Sequence, residues 1–259
     1  MNIVLIGSGN VATVMGRKSI AAGHRIVQVY SRNADHANVL AIRLGTTSTS
    51  YISSIDRNAD LIIIALRDDA VRHLVAELGE VKSILVHTAG ALSMHEVQGS
   101  NKSFGVVYPL QSLRKEIDIL PVLPILIQGN NAHTTAKLKE FAFSISRNVT
   151  EADDAVRLKY HLAGTVVNNF TNRLYALTAS FCENENIPFA ALQPLIEETA
   201  LRLRNMNPQQ VQTGPAIRND VITIGKHQEL LEKYPDILKY YDLFTTEIQK
   251  SLYALSITP

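Results

Sequence analysis

Short apolar runs punctuate the first half of the chain: Ile3–Ile6, Ile26–Tyr30, Leu61–Ala65, Ile84–His87, Gly105–Tyr108 and Pro124–Gln128. Several are apolar throughout instead of alternating, the pattern of strands covered on both faces. Between most of them lie stretches with helical spacing, Val11–Ala22, His36–Leu44, Ala70–Glu77 and Ala132–Ser144. A strand–helix–strand rhythm predicts an α/β domain over residues 1–150 with a doubly wound, mostly parallel sheet. Ligands of such sheets lie past the carboxyl ends of the strands. The segments to read for chemistry are therefore Gly7–Ala12, Ser31–Asn33, Leu66–Ala70, His87–Ser93 and Tyr108–Ser112.

After about Thr150 the strand signals fade. Thr150-Glu151-Ala152-Asp153 has the spacing of a capping box, with acids in the first turn of a helix expected from Asp153 to Glu183. Pro188, Pro194, Asp220 and Pro235 mark further helix starts. Residues 151–259 are expected to form an all-helical second domain.

At 100° per residue, His161, Thr165, Asn168, Asn172 and Tyr175 share one band of the long helix, opposite Leu162, Val166, Phe170, Leu177 and Phe181. The chain is 19% charged, so twenty residues should hold roughly four charges, yet His161–Ser180 holds only Arg173. An uncharged polar band suits a partly buried wall facing a cleft, or satisfied polar groups at a helix–helix contact. The apolar side is expected to pack on other helices or a second subunit. Arg157 and Lys159 are expected to be solvated or to face a partner subunit.

Bulk properties narrow the classes. The 259 residues are 46% hydrophobic, with net charge +1, a folded chain with no basic surplus for nucleic acid. Cys182 is the one cysteine, so no intrachain disulfide forms. No charged leader with an apolar core precedes the first strand, and the densest apolar run, Leu61–Leu66, is far too short to span a bilayer. A cytoplasmic protein without membrane or nucleic-acid partners is expected. No cysteine cluster or paired histidines offer metal-ligand spacing, so no metal site is expected.

Gly7-Ser8-Gly9-Asn10-Val11-Ala12 follows a strand and opens a helix, the context of a dinucleotide-binding turn. Gly7 permits the tight turn, Gly9 permits close approach of a pyrophosphate, and Ala12 stands at the third-glycine position where helix packs on strand. Gly7, Ser8, Gly9, Asn10 and Val11 are thus candidate cofactor contacts, with Leu66 and His87 past later strands. Where an acid would hold the ribose of NAD, the chain has Ser31-Arg32-Asn33. A hydroxyl, a guanidinium and an amide donate to a phosphate, so the cofactor expected is NADP instead of NAD. The same three residues could be a plain polar loop. Asp35, the nearest acid, is expected to start the helix at His36.

The residues of the glycine turn, Ala65–Ala70, His87–Ser93, Gly105–Ser112, Lys159–Phe170 and Thr213–Asp220 together resemble a family of NADP oxidoreductases. Its members pair a Rossmann-like domain with a helical domain of unknown function. More remotely the chain is similar to pyrroline-5-carboxylate reductases, ketopantoate reductases and deazaflavin-dependent NADP oxidoreductases. Their helical domain is similar to the C-terminal domain of 6-phosphogluconate dehydrogenase. The resemblance implies NADP binding and a homodimer through the helical domain. The β-hydroxyacid dehydrogenases place Lys and Asn four apart on the long helix; here the residue four after Lys159 is Ala163, so a lysine mechanism does not carry over.

Hydride transfer needs a proton donor or acceptor, and His161 suits that role because histidine titrates near neutral pH. Asn168 and Asn172 would orient the reacting group. Ser93, Tyr108, Gln111 and Arg218 are candidate contacts for a small-molecule substrate. Each has a structural alternative: His87 as a strand cap, Tyr108-Pro109 as a rigid turn, Arg218 paired with Asp220. The function read is hydride transfer between nicotinamide and a small polar carbonyl, hydroxy or imine compound, with a non-catalytic NADP sensor as the alternative.

Overall fold

The first strand shows why the sheet is covered on both faces. In β1 (Asn2–Ile6), Ile3 and Leu5 enter one core, while Val4 and Ile6 enter another. β4 (Leu61–Ile64) lies in register beside it, Ile3 against Leu61 and Ile6 against Ile64, and divides its side chains the same way. With helices on both sides, neither face of a strand needs polar residues, hence the unbroken apolar runs. Fully burying each such Ile or Leu stabilises the fold by about 1.5–3 kcal/mol.

The computed structural model describes residues 1–257, with side chains described through residue 251. β2 (Arg25–Tyr30), β3 (Thr47–Thr49), β5 (Ile84–His87), β6 (Phe104–Pro109), β7 (Ile125–Gly129) and β8 (Val149–Glu151) complete an eight-stranded sheet of order β3-β2-β1-β4-β5-β6-β7-β8. All neighbours run parallel except β6 and β7. One core lies under α1 (Asn10–Ala21), α2 (Ala34–Leu44) and α4 (Ala132–Ile145), with Met15, Leu40 and Phe141 buried in it. The opposite core takes Val71, Leu74 and Val75 from α3 (Asp68–Leu78). The fold is the Rossmann-like, mostly parallel α/β sheet that the apolar runs predict, followed by a helical C-terminal region.

Two strands escape the sequence pattern. β3 is Thr-Ser-Thr at the sheet edge, too short and too polar to show periodicity. β8 includes Thr150 and Glu151, the residues read as a capping box. The cap is Asp153 alone, whose Oδ1 accepts the Val156 N–H at 2.8 Å. The start of α2 also shifts. Asn33 caps it by accepting the His36 N–H at 2.9 Å, so the helix opens two residues before His36.

The predicted long helix spans α5 (Asp154–Gly164), a π-helical segment Thr165–Phe170 and α6 (Thr171–Asn184). An i→i+5 turn holds an extra residue. The band drawn at 100° per residue therefore does not run with one pitch through Thr165–Phe170.

The chain divides into two compact units, Met1–Asn168 and the residues from Asn169 on. The second unit contains α6, α7 (Gln193–Arg202), α8 (Val221–Leu231) and α9 (Pro235–Ile257). Asp220 caps α8 by accepting the Thr223 N–H, and α8 is tied to α9 by His227–Tyr241 and Gln228–Asp242 hydrogen bonds. Among the described residues no helix is long and apolar enough to cross a membrane.

Candidate active site

The glycine turn leaves β1 at Gly7, whose φ of +118° is a region that favours glycine. A Cβ there would sit 2.3 Å from the Ala65 carbonyl oxygen, so the turn admits no side chain. The Gly7 N–H donates to the Tyr30 carbonyl at 2.8 Å, and the Ser8 hydroxyl to Ser31 Oγ at 3.2 Å. These bonds hold the turn against the end of β2. Gly9 begins α1 without a side-chain cap, and no acid stands in its first turn. The first N–H groups of α1 are thus left for an anion. A Cβ at Gly9 would meet nothing within 4 Å: it would project into open space beside these groups.

A cleft of about 1040 Å³ passes this turn and is lined by Gly7, Ser8 and Gly9, by Ser31, Arg32 and Asn33, and by Leu66. Its charged groups are mostly paired. Arg67 meets Asp69 at 3.1 Å and His73 meets Glu77 at 3.2 Å. Among the described residues no hydrogen bond or ion pair engages Arg32, which leaves its guanidinium open to a ligand anion. Asn33 is less free than its sequence position suggests, because its Oδ1 is the α2 cap. Asn10 is also committed: its Oδ1 accepts the Lys115 N–H at 3.2 Å and so ties the loop after β6 to the start of α1.

Beyond the turn, on the β4–β5–β6 side, stand Tyr108 and His161. The Tyr108 hydroxyl is 3.0 Å from His161 Nδ1, and the rings meet edge to face at 5.9 Å. Both side chains are partly buried. Burial raises the Tyr108 pKa above its usual value, against a smaller opposing effect of the Arg157 charge. The Thr165 hydroxyl donates to the His161 carbonyl at 3.0 Å where the helix widens. Gly90 makes this arrangement possible. A Cβ there would lie 2.5 Å from His161 Nδ1 and 3.0 Å from Tyr108 Cζ.

Beside the pair is a node that the sequence reading placed outside. Arg157 is 1% exposed, not solvated. It donates to Gln128 Oε1 at 2.7 Å, to Asp154 Oδ1 at 2.8 Å and to the Leu92 carbonyl. Asp154 in turn accepts from Ser93 Oγ at 2.6 Å and the Met94 N–H. Burial works against the Asp154 carboxylate, but these donors outweigh it and hold its pKa below the ordinary value. A buried guanidinium is tolerable only with such partners.

Three expected contacts, His87, Ser93 and Gln111, are corrected by the bonds these side chains make. His87 is 0% exposed, and its Nδ1 accepts the Ala89 N–H at 3.1 Å. It acts as the strand cap and presents no face to a cofactor. Burial, and then the Arg157 charge, lower its pKa to about 4. The Ser93 hydroxyl is spent on Asp154 instead of a substrate. The Gln111 amide is engaged at both ends within its own loop, with Val122 O and the Ser112 N–H. Asn168 is exposed in the π segment. Asn172 and Arg218 are exposed and belong to the second unit, where the Arg218 charge helps lower the Asp220 pKa after that carboxylate's bonds to Thr223. Arg157 and Asp154 had a visible signal in their i, i+3 spacing. Gly90 had none, because the ring above it comes from α5. Among the described residues no group of three or more His, Cys, Asp or Glu is placed to hold a metal ion.

The parallel ladder, the glycine turn and the uncapped α1 define a Rossmann-like chain of the dinucleotide-binding class. Comparison with known proteins agrees. Residues 2–89 match a family described as NADP oxidoreductase, coenzyme F420-dependent, and residues 123–248 match a domain of unknown function. A Bacteroides fragilis protein provisionally assigned as an NADP oxidoreductase is 36% identical, with 96% of this chain and 98% of that one covered and a TM-score of 0.89. The chain belongs to this NADP oxidoreductase family. At lower identity the same fold recurs in a pyrroline-5-carboxylate reductase of Streptococcus pyogenes (15% identity, 96% and 98% covered, TM-score 0.65). It recurs again in an imine reductase of Myxococcus stipitatus in complex with NADP+ (14% identity, 98% and 95% covered, TM-score 0.62). No curated protein sequence matches the chain.

Proposed function

We propose that the protein is an NADP-dependent reductase of a small polar carbonyl or imine compound, able in reverse to oxidise the hydroxy or amino product. The observation that carries this reading is the Tyr108–His161 pair, 3.0 Å apart, on the strand side where the reactive end of a dinucleotide would extend. The glycine turn and Arg32, the groups proposed for the phosphates, follow β1 and β2, and Tyr108 is on β6. β1 and β6 are three strand spacings apart, about 14 Å, which suits a cofactor laid across the strand ends.

The residues fit NADP. The first N–H groups of α1 would receive the pyrophosphate, with Gly9 leaving room for it. Arg32 and Ser31 would hold the 2′-phosphate, and Leu66 would pack on the cofactor from beyond β4. When bound, reduced NADP supplies the hydride. The chain must then bind and orient the substrate, exclude water and deliver a proton. Tyr108 and His161 are the groups proposed for the proton.

A homodimer through the helical unit belongs to the same proposal. Leu195, Leu201, Leu203, Met206, Val221 and Ile222 are all exposed in a unit whose buried apolar residues, among those described, are Cys182, Ala216, Ile224 and Leu231. So much apolar helix surface suits coverage by a second copy.

The test is NADPH oxidation, followed by absorbance, with a panel of α-keto acids and five-membered cyclic imines. Turnover with one of these classes, and NADPH binding far tighter than NADH binding, are expected. Tight NADPH binding with no turnover across the panel would overturn the reductase reading in favour of an NADP sensor.

A further inference from the structure

We infer that Tyr108, not His161, hands the proton to the substrate, and that His161 recharges Tyr108 through Nδ1. This rests on the reductase reading above. Three observations carry it. The Tyr108 hydroxyl and His161 Nδ1 are already in hydrogen-bond contact at 3.0 Å. Both rings press on Gly90, just past the end of β5, which puts the pair at the carboxyl ends of the strands, where ligands of such sheets lie. The third observation is that the nearby charged groups are spent elsewhere. Asp154 is bonded to Ser93, Met94 and Arg157, Arg157 faces Gln128, Leu92 and Asp154, and His87 is capped by Ala89. Asp154 and Arg157 come from α5 and His87 from β5. Among the described residues no carboxylate is bonded to either ring of the pair.

The proton balance defines the roles. With one extra proton, the pair has Nδ1–H donating to the Tyr108 oxygen, and the Tyr108 O–H is free to donate outward. As the substrate carbon gains its hydride, the π pair of the C=O or C=N bond moves to the heteroatom. The heteroatom takes the Tyr108 proton, Tyr108 oxygen takes the Nδ1 proton, and the imidazole is left neutral. Water then returns a proton to His161, which is partly exposed. The substrate is reduced and the coenzyme oxidised. In the neutral pair the direction of the hydrogen bond reverses, with the Tyr108 O–H donating to Nδ1. Burial favours this protonated phenol by raising its pKa.

Two substitutions separate the relay from direct donation by His161. With the fastest substrate of the panel, Tyr108→Phe should lower kcat by about 10²-fold or more, as expected for loss of a general acid, and His161→Gln should lower it by only about tenfold. NADPH affinity should stay within about twofold of wild type in both variants. The reverse ranking would overturn the relay and make Tyr108 a positioning residue. A proton inventory on the wild-type enzyme needs no variant: two protons in flight give a curved plot, and a straight plot would sink the proposal. The pair itself is read without turnover, from the ¹⁵N resonance of His161 Nδ1. That resonance should move when Tyr108 becomes Phe; no movement means the bond is absent in solution and the relay fails. Absence of turnover with the whole panel would overturn the reductase reading, while the ¹⁵N measurement still judges the pair.

Discussion

Arg157 and Asp154 sit three residues apart on α5, with Nη2 2.8 Å from Oδ1 and the guanidinium 1% exposed. The pair ties α5 to the Leu92 carbonyl, Ser93 and Met94 on one side and to Gln128 of β7 on the other. One turn further along α5 is His161. Arg157→Met would leave a carboxylate, a carbonyl and an amide oxygen short of a donor. Breaking a buried pair from one side costs about 3–5 kcal/mol. The thermal midpoint should fall by roughly 10 °C, with partial recovery in Arg157→Lys, which keeps charge but loses the forked geometry. A calorimetric scan of the three proteins checks this.

His87 should make stability pH-dependent in one window. Its folded pKa is about 4 against an ordinary 6.5, so the unfolded chain binds a proton more readily than the folded one between those values. The stabilisation is complete above about pH 6.5 and is lost as pH falls toward 4. The full span amounts to about 3 kcal/mol. Urea unfolding at a series of pH values should show this slope, and His87→Gln should flatten it. Asp154, held below its ordinary 3.8, contributes its own loss only at lower pH.

Gly90→Ala tests the packing beneath the two rings. The new Cβ would lie 2.5 Å from Nδ1 and 2.7 Å from Cγ of His161, too close for either ring atom to remain. The imidazole must move off the Tyr108 hydroxyl. Turnover should fall by about 10–100-fold, a typical cost of misplacing a catalytic group, while NADPH binds within about twofold of wild type. Steady-state kinetics and a fluorescence titration supply the two numbers.

Arg32→Ala should discriminate between coenzymes. A hydrogen bond to a charged group contributes about 1.5–3 kcal/mol, so NADPH affinity should drop by roughly 10–100-fold and NADH affinity hardly at all. Equal losses for both would show that Ser31–Asn33 is a structural loop.

Local chemistry along the chain was enough to identify the sheet and the glycine turn. Apolar runs report burial on two faces, and a turn such as Gly7–Ala12 carries its backbone requirement in its own residues. Asp153, Asp220 and Pro235 likewise announce helix starts through bonds made within a few residues. Where two distant segments decide an outcome, sequence fails. Arg157 reads as a surface cation on its helix and is buried because Leu92 and Gln128, from other elements, supply oxygens. Ser93 and Gln111 read as free polar groups and are consumed by Asp154 and Val122. The band from His161 to Tyr175 assumes one helical pitch, which the π segment interrupts. Tyr108 and His161, 53 residues apart, were both legible as candidates. Their hydrogen bond, and the missing Cβ at Gly90 that admits it, exist only once α5 is packed over the ends of β5 and β6. Periodicity and capping are short-range and survive in the chain as written; the partner of a buried charge or ring is set by long-range packing alone.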